Sequence, residues 1–348
     1  NKIKNLNLEK SNFNFKLEKK SKNSFNIDGY YKINKNSLQK FNFEHLNNLN
    51  SRKFIIDGEL NAEINIPILN YNSKNKVVNI KSEFEKKKNS LYLNKFSLVD
   101  EKNKISINNL LLKNNKLLGF DKISVKTFQN NSLNNDFEII FDKKIKVFGS
   151  KYDASNLTQL LDTSYNSNLY KNINKEISIK IKEISTKVSD KILNFNLIGN
   201  LERGKFNKII SKGEFKDNEY LDISLKVDKK TNKKILEIYS DLPKPLLSNY
   251  KFFDGLSGGQ ILIFSTYDTQ ASNTNLTIEN FKVNDTPGLV KLLSLADFGG
   301  MVDALSGEGL SFEKLEITMN KNDQVLNLKE LYAIGPSISI LMEGYVES

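Results

Sequence analysis

LDISLKV, residues 221–227, places Leu221, Ile223, Leu225 and Val227 on one side of an extended chain and Asp222, Ser224 and Lys226 on the other. Successive side chains of a strand point to opposite faces, so strict alternation of this kind predicts a half-buried β-strand. The same period returns in ISIKIKEI (residues 177–184), where Ile177, Ile179 and Ile181 oppose Ser178, Lys180 and Lys182. It returns again in LEITM (residues 315–319), where Leu315, Ile317 and Met319 oppose Glu316 and Thr318. Similar bursts recur along the whole chain, roughly 10–14 residues apart and separated by Asn, Lys, Asp and Gly, which is the rhythm of an antiparallel meander with short turns.

The fold expected is therefore mainly β, with one wet and one dry face on most strands. About eighteen strands at a spacing of ~4.8 Å would make a single sheet extending on the order of 85 Å. Such a sheet has to hide its apolar face, and a sandwich, a closed barrel or a curled open trough would each do so.

Composition narrows the chemistry. The chain has 348 residues, long enough for one large β domain or two ordinary ones, and at 39% hydrophobic and 10% aromatic it can build a core. It has no cysteine, which excludes disulfides, thiolate metal sites and a cysteine nucleophile. The formal net charge of +11 comes from lysines scattered among acidic neighbours, with arginine only at Arg52 and Arg203. Nucleic-acid surfaces concentrate arginine forks and aromatic platforms on one face, so no nucleic-acid partner is expected.

Catalytic constellations are not found. His45 is the sole histidine, so no histidine metal cluster can form and a catalytic triad would hang on one residue. Asp100 and Glu101 are adjacent and point apart, as turn residues do. The glycines of GLSGG (residues 255–259) and SGEGL (residues 306–310) follow helical signals and precede strands, the reverse of a phosphate loop, and read as bends. Neither an enzymatic activity, a cofactor nor a metal is expected.

Helical signals are few: residues 151–164 (KYDASNLTQLLDTS), residues 241–259 (DLPKPLLSNYKFFDGLSGG), more weakly residues 37–49 (SLQKFNFEHLNNL), and residues 285–305. The last packs Leu289, Val290, Leu292, Leu293, Leu295, Phe298, Met301 and Val302 into one dense stretch, with Pro287 suited to a first helical turn and Gly299–Gly300 ending the run. About 11 helical residues at 1.5 Å each span roughly 17 Å, about half a hydrocarbon core, so this helix cannot cross a bilayer. The chain begins within an alternating pattern and shows no signal-peptide layout, which raises the expectation of a targeting segment upstream.

Residues 276–347 combine a strand, Thr286–Pro287 with a Leu-rich helix, a Gly-Gly break, LSGEG before a strand containing FEKLE, and AIGPS before a last strand. In this combination the region resembles the C-terminal conserved region of the AsmA-like family of bacterial envelope proteins, in its YhdP-like branch. KYDASNLTQLLD is similar to a second recurring element of that family, whereas residues 1–150 share only the strand rhythm. The resemblance implies three segments: a β-groove stretch over residues 1–150, a second with short helices over 151–284, and the AsmA-like terminal element over 285–348.

It also implies a long curled antiparallel sheet forming a repeating β-groove with a few short amphipathic helices. Its implied work is non-enzymatic, bridge-like transfer of phospholipid between inner and outer membranes. The implied location is the periplasm of a Gram-negative bacterium, with an upstream inner-membrane anchor, and the implied partners are phospholipid, membrane surfaces and other envelope proteins. On this reading Ile177, Ile179, Ile181, Leu221, Ile223, Leu225, Val227, Leu315, Ile317 and Met319 line the groove. The helix of residues 285–305 either gates lipid or plugs the sheet end. The competing expectation is a structural or adhesive envelope protein whose apolar faces pack dry against each other.

Overall fold

A computed structural model describes residues 12–21, 23–32, 37–74, 76–156, 168–188, 190–248, 253, 255–284, 309–322, 325–336 and 338–347. The chain is mainly β and divides into two compact units, Asn1–Lys175 and Glu176–Ser348.

In the first unit the strands are β1 (Asn12–Ser21), β2 (Ser24–Lys32), β3 (Gln39–Asn47), β4 (Ser51–Leu60), β5 (Asn65–Ile66), β6 (Tyr71–Asn72), β7 (Val78–Lys87), β8 (Ser90–Asp100), β9 (Asn103–Lys113), β10 (Lys116–Gly119), β11 (Lys122–Gln129), β12 (Ser132–Phe141) and β13 (Ile145–Asp153). Pairing runs antiparallel along the series β1–β2–β3–β4–β7–β8–β9, then from β9 to both β10 and β11, and on through β12 to β13. The weak helical expectation for residues 37–49 is overturned: that stretch is β3, because Phe41, Phe43 and His45 alternate with polar residues and pair on both sides with β2 and β4.

The second unit carries β14 (Lys175–Ser185), β15 (Lys191–Glu202), β16 (Lys205–Glu214), β17 (Tyr220–Val227), β18 (Lys234–Ser240), β19 (Leu256–Tyr267), β20 (Ala271–Val283), β21 (Leu310–Asn322), β22 (Val325–Ile334) and β23 (Ser339–Glu347). From β15 to β23 each strand pairs antiparallel with the next. The helical signal at residues 241–259 survives as one turn, Lys244–Leu247, which drops Leu247 into the core.

The abundance of asparagine has a local cause. Asn114–Asn115 and Asn130–Asn131 form two-residue hairpin loops with positive φ at both positions (51° and 59°, 49° and 61°), and Arg203–Gly204 does the same (50° and 74°). Paired positive φ values suit the right-handed twist of the flanking strands, and asparagine tolerates that region better than any other residue except glycine. The glycines of GLSGG lie at and within the start of β19, where Gly258 and Gly259 take φ of 66° and 83° at a break in the pairing with β20. A Cβ on Gly259 would sit 2.7 Å from the Glu279 carbonyl oxygen, so the residue serves the bend, not a phosphate.

Between β4 and β7 the chain detours through β5, a 3₁₀ turn at Pro67–Leu69 and β6. This insertion covers the margin of the sheet where β8, β9, β11 and β12 end. Leu69 and Tyr71 are buried there, and a polar network ties them down. Asn135 Nδ2 donates to the Leu69 carbonyl at 2.6 Å and to Thr127 Oγ1 at 2.9 Å, and Asn70 Nδ2 donates to Asp153 at 2.9 Å. Asp100, fully buried, accepts from the Tyr71 hydroxyl and from Asn103 Nδ2. Asp100 does end a strand, but its carboxylate faces inward.

Burial, then the hydrogen bond to Asp100 and that carboxylate's charge, push the Tyr71 phenol well above its ordinary value. Burial and Asp153 push Tyr152 up to about 12. The folded chain therefore holds protons that unfolded phenols, with an ordinary pKa of about 10, would lose. The stability from these groups is complete below about pH 10 and declines as pH rises beyond it. Urea midpoints measured between pH 9 and 12 are expected to fall with pH, and Tyr71→Phe should flatten that slope; an unchanged slope would refute the assignment.

Candidate functional site

In the second unit the strand registers line up the groove residues expected from the sequence. One cross-strand row runs Leu221, Ser240, Ile261, Ile278, Leu315, Ala333, Ile340. The next runs Ile223, Ile238, Ile263, Leu276, Ile317, Leu331, Met342, and a third runs Leu225, Leu236, Ser265, Thr274, Met319, Leu328. Six of the ten expected lining residues thus share one continuous face. Of the others, Ile181 is buried and Ile177 and Ile179 half-buried in β14, while Val227 sits exposed at the end of β17.

The middle of this face is tightly covered, while Ile223, Ile238, Ile263, Met319 and Leu328 around it are half-buried. Ile278 is 0% exposed, Ile261 1% and Leu221 2%, and Phe281 stacks on Phe312 with centroids 5.2 Å apart. Each such side chain contributes about 1.5–3 kcal/mol relative to an exposed one. The eight expected helix residues Leu289, Val290, Leu292, Leu293, Leu295, Phe298, Met301 and Val302 lie outside the described residues, as does most of the expected helix in residues 151–164.

In the first unit the inner face has a different character. Phe25, His45, Phe54 and Phe84 occupy directly paired positions on β2, β3, β4 and β7. The His45 ring lies 5.0 Å from each of Phe25 and Phe54, and Phe54 stacks on Phe84 at 4.9 Å. His45 is a member of an aromatic ladder. The neighbouring row is Leu17, Ile27, Phe43, Ile56, Ser82, Phe96, Ile107. Phe25, Ile27, Phe43, His45, Phe54, Ile56 and Phe84 are all half-buried and Leu17 is 62% exposed, so solvent reaches this apolar face. A concavity of about 470 Å³ opens onto it, lined by Leu17, Phe25, Ile27 and His45 with Lys19 and Asn47 at its rim.

Along the strands the face changes in steps. Toward the insertion the paired positions are increasingly buried, reaching Leu98, Ile105 and Val125 at 3–6% exposure and then Val78 at 0%. Away from it the row beyond the aromatic ladder starts with Asn47, Arg52 and Lys86, all exposed, and continues through the half-buried Leu91 and Leu112. The sequence reading places a β-groove stretch over residues 1–150 but singles out none of these lining residues; the signal available for them is the phenylalanine at alternate positions in FNF and the parity of Arg52 with Phe54.

Chemically, this is an apolar face that solvent partly reaches, with a concavity over it. Among the described residues no cluster of His, Asp and Glu could hold a metal ion, and no helix is long and apolar enough to cross a membrane. No family model, no curated protein and no solved structure matches the chain.

Proposed function

We propose that this chain is a non-enzymatic lipid-transfer protein of the AsmA-like kind, which conducts phospholipid acyl chains along an apolar sheet face between inner and outer membranes. Its place of work on this reading is the periplasm, with membrane surfaces and other envelope proteins as partners. The observation that carries the proposal is the half-exposed run of apolar side chains across β1–β4 and β7 in the first unit. Exposed apolar area of that kind is normally hidden unless something binds it. A bare 16-carbon chain in water costs roughly 13 kcal/mol at about 0.8 kcal/mol per CH₂. A lane of such side chains lowers that cost at each step of a lipid's passage.

The second unit favours another reading. Near-complete burial of Leu221, Ile261 and Ile278 is what a dry, packed core of a structural or adhesive envelope protein would have. Two measurements decide between the readings. Mass spectrometry of the gently extracted protein is expected to find co-purified phospholipid, and the protein is expected to speed transfer of a fluorescent phospholipid between vesicles. A lipid-free protein that leaves the transfer rate unchanged would establish the dry-core reading instead.

A further inference from the structure

Charge on the first five long strands is sorted by face. Glu18, Asp28, Glu44, Asp57, Glu83 and Glu85 occupy outward positions, where Lys53 pairs with Glu83 at 2.7 Å and Lys81 with Asp57 at 2.8 Å. The inner positions of β1–β4 and β7 carry no carboxylate among the described residues, and they carry three cations, Lys19, Arg52 and Lys86. Lys19 is paired directly with Phe25, at the end of the aromatic ladder. Arg52 and Lys86 are paired directly with each other, one row beyond Phe54 and Phe84 on the same face.

Like charges directly opposed across two strands repel, and among the described residues neither Arg52 nor Lys86 has a carboxylate partner to relieve it. Arg52 and Lys86 line a second concavity of about 430 Å³ with the turn at residues 47–51, Lys88 and Lys87, the last paired with Glu85 at 3.7 Å, and Asn47 lines both concavities. The opposite margin of the unit is closed by the insertion carrying Leu69 and Tyr71. An apolar face shut at one margin and edged at the other by Arg52 and Lys86, cations without a carboxylate partner among the described residues, matches an amphiphile in both halves.

We propose that the Arg52–Lys86 margin of the first unit holds the anionic head of a lipid, phosphate or carboxylate in chemistry, whose chain lies over Phe25, His45, Phe54 and Phe84. The proposal rests on the acyl-chain reading above and adds the headgroup class and the margin at which the head sits. Arg52 supplies a planar fork for two oxygens of the head and Lys86 a point charge beside it.

Calorimetric titration of the full chain with dodecyl phosphate and with dodecyl maltoside, both below their micellar concentrations, tests it. Dodecyl phosphate is expected to bind, to weaken with added salt, and to weaken about ten-fold in Arg52→Gln/Lys86→Gln, while dodecyl maltoside is unaffected by either change. Both substituted residues are exposed, and circular dichroism checks that the variant stays folded; the charge-preserving swap Arg52→Lys/Lys86→Arg is expected to retain most of the affinity. Equal binding of the two amphiphiles to both proteins would overturn the headgroup assignment and leave the acyl-chain reading standing. Binding of neither would overturn both. Inorganic phosphate bound as tightly as dodecyl phosphate would mark a plain anion site, and binding to anionic vesicles without binding of the monomer would mark a membrane-docking edge; either overturns the proposal.

Discussion

Truncating Ile278 to alanine is expected to lower the unfolding free energy of the second unit by about 2–5 kcal/mol. Ile278 is 0% exposed and sits in register between Ile261 on β19 and Leu315 on β21, themselves 1% and 5% exposed. A methyl left in its place would vacate space that neighbours pinned by two flanking ladders cannot refill. Against a total stability of roughly 5–15 kcal/mol for a domain, that is a large share. Urea unfolding followed by far-ultraviolet circular dichroism measures it. The control is Ile210→Ala on β16, a residue 60% exposed on the outward face, where the expected change is within about 0.5 kcal/mol. Equal costs at the two positions would show that the faces of this sheet have been assigned wrongly.

The second large effect falls in the first unit. Asp100→Ala removes the acceptor of the Tyr71 hydroxyl and of Asn103 Nδ2, and the partner of Lys76 Nζ at 3.6 Å. Two buried donors are then left without partners at the point where the insertion is fastened to the sheet. Removing one member of a buried charged cluster typically costs about 3–5 kcal/mol. Tyr71→Phe, which leaves only the carboxylate short of one donor, should cost about 1–3 kcal/mol. Protease susceptibility of the Leu69–Tyr71 segment gives an independent readout: Asp100→Ala is expected to expose it to cleavage under conditions where the parent chain resists. Resistance of both variants would mean that the insertion is held by something else.

Much of the fold was legible because alternation is written residue by residue. In residues 221–227 nothing but a strand puts four apolar side chains on one side, and β17 follows that pattern until Val227, where the strand ends and cover is lost. Residues 37–49 misled because leucines at both ends imitate helical spacing; Leu38 and Leu49 turn out to be 58% and 104% exposed, and the Phe41, Phe43, His45 alternation decides the strand. What the sequence could not deliver was register across long separations. That Arg52 would lie against Lys86 depends on β4 and β7 pairing past the insertion that separates them. Parity alone places each cation on the inner face but says nothing about which stands next to which. Similarly, the depth of burial of Asp100 follows from the insertion that folds over it.

Nearly every long strand in each unit pairs with the strand that follows it in the chain, apart from the detour at β5–β6 and the short β10. A ladder stitched together by sequence neighbours has low contact order, which favours quick, stepwise assembly from local hairpins. It is also tolerant of growth: duplicating or deleting two adjacent strands shifts no other pairing, as in repeat proteins where each unit touches only its neighbours. A lineage carrying this architecture could therefore adjust its reach in hairpin-sized increments of about 10 Å, two strand spacings, without redesigning the remainder.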